Sequence, residues 1–322
     1  MVVSSLDHVV INAKFDMDAV AACLTTLGFS LTAKGYHSLG SVNHLIMFDD
    51  HYLELVGLPL DTETLRREVL DSTIGIDGLV FKTDDAQATY DALYTLKFQV
   101  GEPQSFTRPV VINGNEEIAR FRTTRLAAGE MPAGRVYFCE HLTPQWVFRP
   151  EWSVHRNGAK ALVQLVIVSP NPSAEAARYA DLTGGVAPPF ELIFLTAAEY
   201  ETRYGTVNTK GKQNEQARTR AAFFGAIVVE VDNVILLREQ LEERLEMRPK
   251  KRLEMQLETP LERQTAAELA ADGISVSDGV NQRTGAPSVI VSLKNVATII
   301  EFVGPENSAV NVSGVVVNPQ GL

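Results

Sequence analysis

The sequence predicts an α+β chain made of four βαβββ units arranged in two pairs. Three observations carry this. A strand–helix opening, "LDHVVINAKFDMDAVAACLTTLGF" (Leu6–Phe29), returns as "IDGLVFKTDDAQATYDALYTLKF" (Ile76–Phe98), with Leu6-Asp7-His8 against Ile76-Asp77-Gly78. Weaker copies begin at Leu162 ("LVQLVIVSPNPSAEAARYADLTGG") and Phe224 ("FGAIVVEVDNVILLREQLEERL"). The last strands of the first and fourth units also match, Glu54-Leu55-Val56-Gly57 against Glu301-Phe302-Val303-Gly304. In each copy a β-branched strand precedes a segment with apolar residues at helical spacing.

The first unit covers residues 6–60. Asp16 is placed as the cap of its helix, and Asp49-Asp50 reads as a hairpin turn between two later strands. The second covers 76–144, with Asp84 as cap and "VYFCEHLT" as last strand. Apolar patterning lapses in "RPEWSVHRNGAKA" (Arg149–Ala161), so the expected boundary separates an N-terminal domain, 1–150, from a C-terminal one, 160–322. The third unit, 161–215, has Ser173 as cap and is the least regular; its last two strands have no clear pattern. The fourth, 222–305, has Asp232 as cap and a turn at Lys294-Asn295. The charged run Arg238–Arg263 reads as one or two solvated helices broken at Pro249.

Composition narrows the function. A net charge of -11 over 322 residues argues against nucleic acid or an anionic membrane as partner. Two distant cysteines, Cys23 and Cys139, and an N-terminus without a signal-peptide pattern fit a reducing cytoplasm. The longest apolar run, Ala221–Val229, is too short to span a bilayer. A small-molecule substrate is the expected partner, and a homodimer is compatible with the chain. "GTVNTKGKQ" (Gly205–Gln213) is close to a phosphate loop, but its glycine spacing is one residue too long and no Ser or Thr follows Lys212. G-x-S-x-G, H-E-x-x-H and C-x-x-C are all missing.

Three stretches, "LDHVVINA", "SVNHLIMFDDHYLELVG" and "YFCEHLTPQWVFRPEW…HRNGA", together with the repeated units, resemble the vicinal-oxygen-chelate superfamily. Within it, the glyoxalase-like proteins of unassigned activity are the most similar branch. The resemblance covers the first half well and the second only in its unit pattern. It implies that two units pair into a half-open barrel. It also implies a divalent metal (Zn, Mn, Ni or Fe) held inside by side chains from the first and fourth strands of each unit.

Carried onto this sequence, the first unit supplies His8 and Glu54 as metal ligands. A carboxylate in so apolar a strand must be paired, protonated or metal-bound. The second unit has Gly78 at the His8 position, so one ligand is missing. Its last strand offers Glu140 or His141, which cannot both face inward without a bulge. Glu140 inward gives His8, Glu54 and Glu140, a Lewis-acid site with Glu140 as proton-moving catalytic group. His141 inward gives the two-His, one-carboxylate triad of iron(II) oxygenases. The repeat favours Glu140, which it aligns with Glu54 and Glu301. Asn43, Arg122, His141 and Trp146 are the expected substrate-facing residues. Arg120 shares a strand face with Arg122, and Trp146 with Trp152 is expected to cover the barrel mouth. His37, His44 and His51 read as surface or turn residues, with His44 opposite in facing to an inward Asn43. In the second pair, Gln164 and Glu301 occupy the ligand positions of a structural copy. The expected function is that of a metal-dependent isomerase or lyase acting on vicinal oxygens. The alternatives are a ring-cleaving iron dioxygenase and a metal-free binding protein.

Overall fold

The computed structural model describes residues 3–60, 62, 65–205, 220–255 and 273–305. Two sheets carry the chain. The first holds β1 (Leu6–Lys14), β2 (Gly35–His37), β3 (Ser41–Met47), β4 (Tyr52–Gly57), β5 (Gly75–Lys82), β6 (Gln104–Ile112), β7 (Asn115–Arg125) and β8 (Arg135–His141). Their spatial order is β2-β3-β4-β1-β5-β8-β7-β6. β1 runs parallel to β4 and antiparallel to β5, while β5 runs parallel to β8. Each half is thus a βαβββ unit, and the two units meet along β1 and β5. The outer ends approach each other: Ser38 N donates to Thr107 O at 3.0 Å, and Thr107 N to Ser38 Oγ at 3.1 Å. The sheet therefore curls into a nearly closed barrel.

The second sheet holds β9 (Ala159–Val168), β10 (Glu191–Leu195), β11 (Phe223–Val231), β12 (Ile274–Val280), β13 (Pro287–Leu293) and β14 (Thr298–Val303). Its order is β10-β9-β11-β14-β13-β12. β10 lies parallel to β9, as β4 lies to β1, so it takes the place of a fourth strand. Among the described residues the third unit therefore has two strands where four were expected, without the middle hairpin. The lapsed patterning of the sequence there has this cause. The phosphate-loop-like stretch 205–213 lies outside the described residues after Gly205.

The helices are α1 (Met17–Thr26), α2 (Arg67–Asp71), α3 (Ala86–Thr95), α4 (Pro172–Thr183), α5 (Ala197–Tyr204) and α6 (Val234–Met255). Asp16 precedes α1 but its side chain makes no capping bond. The caps of the other expected helices sit one or two residues from Asp84, Ser173 and Asp232. They are Asp85, Asn171 and Asn233, whose side chains accept from first-turn N–H groups. Several Asp, Asn and Ser stand side by side at these starts, and backbone geometry selects among them. α6 continues through Pro249, which forfeits one N–H bond without ending a 22-residue helix.

Strand alternation separates two apolar clusters. The outer one, with Val9, Ile11, Leu53, Leu55, Leu79 and Phe81, is continuous with the second sheet through Leu165, Ile167, Phe224 and Ile227. The barrel-side one contains Val10, Tyr52, Val56, Val80, Phe121, Tyr137 and Cys139. The pairing skips one residue at an equivalent place in all four first strands: Asp7, Asp77, Val163 and Gly225. These bulges fix the correspondence between units better than residue type does. Three residues beyond each, Val10 faces Glu54, Val80 faces Tyr137, Val166 faces Ile193 and Val228 faces Glu301. Glu301 matches Glu54, as the sequence suggests. In the second unit the matching residue is Tyr137, not Glu140.

Gly78 occupies the His8 position because β1 leaves it no room: an added Cβ would lie 2.8 Å from Val10 Cγ2 and 2.9 Å from Val10 Cβ. Gly78→Ala should lower stability by about 1–3 kcal/mol, the usual cost of overpacking, measured by urea unfolding. An unchanged midpoint would mean that β1 and β5 are not held at this separation.

On the barrel side of the second sheet, the buried Glu301 accepts from Arg203 Nη2 and from Tyr204 hydroxyl, both at 2.8 Å. Tyr200 and Tyr204 of α5 pack on the same apolar cluster. The position that matches Glu54 is thus sealed by the protein's own groups. Glu301→Ala should cost about 3–5 kcal/mol, because it leaves Arg203 buried without its anion. Calorimetric unfolding tests this, and a Tm equal to wild type would exclude it.

Candidate functional site

The first sheet folds around a cavity of about 20 Å³, on the scale of one buried water. His8, His37, Glu54, Tyr137 and Arg108 are among its lining residues. His37 also borders an outer groove of about 630 Å³ that Phe15, Tyr36 and Leu60 line.

The bulge at Asp7 sets the geometry. An ordinary strand would send Asp7 and His8 to opposite faces. Here Asp7 Oδ1 lies 2.5 Å from His8 Nδ1, and Asp7 Oδ2 lies 2.9 Å from His141 Nε2. Burial alone would raise the Asp7 pKa, but the charges and hydrogen bonds of His141 and His8 hold it well below the usual carboxylate range. An ionised carboxylate only accepts, so both imidazoles donate to it. With Nδ1–H given to Asp7, Nε2 is the ring nitrogen turned to the cavity, where a neutral ring carries its lone pair. Tyr52 stacks on the ring with centroids 4.4 Å apart and an interplanar angle of 12°.

Around that lone pair, Tyr137 hydroxyl lies at 3.3 Å and Glu54 Oε2 at 3.6 Å. Asn43 Nδ2 donates to Glu54 Oε1 at 2.8 Å, and His37 Nε2 is 3.9 Å from the same oxygen. Burial would raise the Glu54 pKa, yet His8, His37 and the Asn43 hydrogen bond lower it, so the carboxylate stays ionised. Burial pushes His37 down to about 3, with Arg66, Arg108 and Arg125 adding to the shift against the pull of Glu54. His37 is therefore neutral.

The sequence-expected residues divide in two. His8, Glu54 and Asn43 come together in the cavity. Glu140 does not: its carboxylate accepts from Ala86 N at 3.0 Å and Arg122 Nε at 2.9 Å, at the start of α3. The expected inward register of Glu140 is corrected to an outward one, because β8 pairs Tyr137 with Val80 and alternation then turns residue 140 away. Arg122 leaves the cavity with it. His141 faces inward, but its Nε2 is committed to Asp7, on the side of His8 away from Glu54. Trp146 and Trp152 pack on the barrel-side cluster, beside Phe148. His37 and His51 are not surface residues. His37 lines the cavity, and His51 is buried with Nδ1 on Asp50 and Nε2 accepting from Leu162 N at 2.9 Å. Asp7, His37, Tyr52, Arg108 and Tyr137 were missed. Only Asp7 left a trace in the sequence, as the residue shared by "LDH" and "IDG".

A divalent ion, which this fold implies, finds suitable donors here. A lone pair on His8 Nε2 with a carboxylate behind Nδ1 is the usual arrangement of a ligating histidine. Glu54 Oε2, 3.6 Å away, is close enough for both atoms to reach one ion at about 2.0–2.2 Å. Tyr137 occupies the second unit's fourth-strand position. A second donor group, Asp7, Cys139 and His141, has ligand atoms within 4.8 Å of one another. It fits less well, since both Asp7 oxygens are engaged and burial raises the Cys139 thiol pKa, keeping it protonated.

The comparisons agree with this architecture. The glyoxalase-like domain family matches residues 6–183. The chain belongs to that family. No curated protein matches it. Among solved structures, a hypothetical protein from Staphylococcus aureus is similar at 10% identity and TM-score 0.53, over 94% of this chain and 100% of the other. A mutant 4-hydroxymandelate synthase from Streptomyces coelicolor is similar at 12% identity and TM-score 0.55, over 94% and 93%. A xylose isomerase-like TIM barrel/4-hydroxyphenylpyruvate dioxygenase fusion protein is similar at 11% and 0.51, over 97% of this chain and 50% of that one. At such identities the likeness is one of fold. The glyoxalase-like chain thus has the fold of the vicinal-oxygen-chelate superfamily. No helix among its described residues is long and apolar enough to cross a membrane.

Behind the cavity, Glu68 binds Arg66, Arg125 and Arg135 at 2.8–3.1 Å. Burial would raise its pKa, and the three guanidinium groups bring it down to about 2. A carboxyl group with a depressed folded pKa contributes stability above its unfolded value, about 4.3. That contribution is lost as pH falls from there towards 2. Glu68→Gln should therefore flatten the stability profile between about pH 4.5 and 2, removing roughly 1–3 kcal/mol of its slope. Urea unfolding across this window measures it, and an unaltered acid limb would exclude the role.

Proposed function

We propose that this glyoxalase-like protein is a divalent-metal-dependent enzyme, of isomerase or lyase type, acting on a small substrate with neighbouring oxygens. The carrying observation is the convergence of Tyr137 hydroxyl and Glu54 Oε2 on His8 Nε2, at 3.3 and 3.6 Å. These residues occupy three of the four first- and fourth-strand positions of the paired units. His8 and Glu54 would hold the ion, with the Tyr137 hydroxyl, kept protonated by burial, beside it. When bound, it supplies a Lewis acid that stabilises negative charge on substrate oxygen.

The protein's own groups do the rest. Asp7 and Tyr52 fix the plane and tautomer of His8, and Asn43 fixes Glu54. Asn43 Nδ2 points at His37 Nε2 from 3.2 Å, so Nε2 carries the lone pair and Nδ1–H donates to Ser41 Oγ. His37 Nε2 is then the neutral acceptor that holds the Asn43 amide in place on Glu54. The barrel-side aromatic residues exclude water. Glu140, engaged on α3, takes no part. The iron triad of His8, His141 and Glu54 has less support, because Asp7 holds His141 on the far side of His8 from Glu54. A metal-free binder remains the second reading, favoured by the cationic side chains around the cavity.

Elemental analysis of purified protein separates the two. Near-stoichiometric divalent metal is expected in wild type and in Glu140→Gln, with loss in His8→Ala and Glu54→Ala at unchanged circular dichroism. Equal metal affinity in wild type and both variants would overturn the assignment.

A further inference from the structure

Arg108 lines the cavity and takes no part in the proposed chemistry. It lies on β6, is 3% exposed, and lines the same cavity as His8 and Glu54. Its Nε and Nη2 are buried and have no hydrogen-bond partner. No carboxylate among the described residues lies within 4.0 Å of it. Arg66, Arg125 and Arg135, by contrast, share Glu68, and Arg135 also binds Asp77 at 2.6 Å.

A buried guanidinium without an anion is costly, and such groups are normally paired. Chemistry identifies the missing partner. Nε–H and Nη2–H form one edge of the guanidinium and point the same way, which is the fork that takes both oxygens of a carboxylate. That edge is the unpaired one. Gly35 enforces its placement, since an added Cβ there would lie 2.7 Å from Arg108 Cδ and 3.0 Å from Nη1.

We infer that the substrate is a small carboxylic acid whose carboxylate pairs side-on with Arg108 Nε and Nη2, leaving its neighbouring oxygen towards His8 and Glu54. This rests on reading the cavity as the substrate site, and, because the cavity has room for about one water, on its lining side chains giving way as the acid enters; it does not require that a metal be bound. Arg108 is a specificity-determining residue on this account. A neutral diol or amide of the same skeleton would leave the guanidinium unpaired and bind poorly.

Calorimetric titration tests it with lactate, malate and phenyllactate, each against its amide, and with inorganic phosphate. At least one acid is expected to bind about tenfold or more tightly than its amide, and more tightly than phosphate. Arg108→Gln should abolish that preference while metal content stays as in wild type. Arg108→Lys, which keeps the charge but loses the fork, should fall between and serves if the glutamine variant does not fold. Three results would overturn the inference: no acid preferred over its amide, a preference that survives both substitutions, or phosphate bound best. Acid preference in a protein that never takes up metal would sink the metal assignment and leave the role of Arg108 standing.

Discussion

One extra residue in one strand holds the site together. With strict alternation, β1 would aim either Asp7 or His8 at the cavity. The bulge at Asp7 puts the carboxylate beside its neighbour's imidazole and within reach of His141 on β8, two strands away. From this follow the tautomer of His8, the direction of its lone pair and the commitment of His141. A bulge is tolerated there because β1 and β5 are the first strands of their units, and each gives up one pairing to the other. The partner bulge at Asp77 binds Arg135 at the opposite end of β8. The same device thus serves function in one unit and anchoring in the other.

The two halves of the chain show one scaffold put to two uses. Glu54 and Glu301 hold the same place relative to the bulges, and both are buried carboxylates. Glu54 meets an amide and two imidazoles around a cavity. Glu301 meets a guanidinium and a phenol from α5, and Tyr200 and Tyr204 of that helix pack on the same apolar cluster. Loss of the middle hairpin in the third unit accompanies this, since a sheet without that curling edge is covered by α5 on its barrel side. A carboxylate left with an imidazole lone pair nearby can share an ion or a proton. One paired with an arginine is structural.

What the sequence made legible follows from what repeats. The β-branched first strands, the Asp49-Asp50 and Lys294-Asn295 turns and the Glu54–Glu301 echo are local patterns, and the fold class follows from them. His8, Glu54 and Asn43 were placed inward by the resemblance to the superfamily, and the structure brings all three to the cavity. The second unit failed at β8 for a definite reason. Glu140 was aligned by side-chain type, whereas the bulge at Asp77 shifts the count and brings Tyr137 to the position. Bulges have no signature in the residue string beyond the shared Asp. The arginine cluster was invisible as well, because Arg66, Arg108, Arg125 and Arg135 come from four separate segments and converge only once the sheet has curled.

That convergence gives the cavity its electrostatic character. Glu68 sits at the start of α2, on the connection between the units, and takes three guanidinium groups at once. By doing so it removes them from competition for Glu54, whose carboxylate stays with Asn43 and near His8 and His37. The remaining guanidinium, Arg108, packs against Gly35 and keeps its Nε and Nη2 edge without a hydrogen-bond partner. On the inference drawn above, a cavity lined by a donor set for a cation and by a guanidinium without an ion pair discriminates by charge order. It favours a molecule that brings a negative group and a polarisable oxygen a short distance apart. Binding such a molecule relieves the cost of the buried Arg108, so occupancy and stability of this half of the protein are linked.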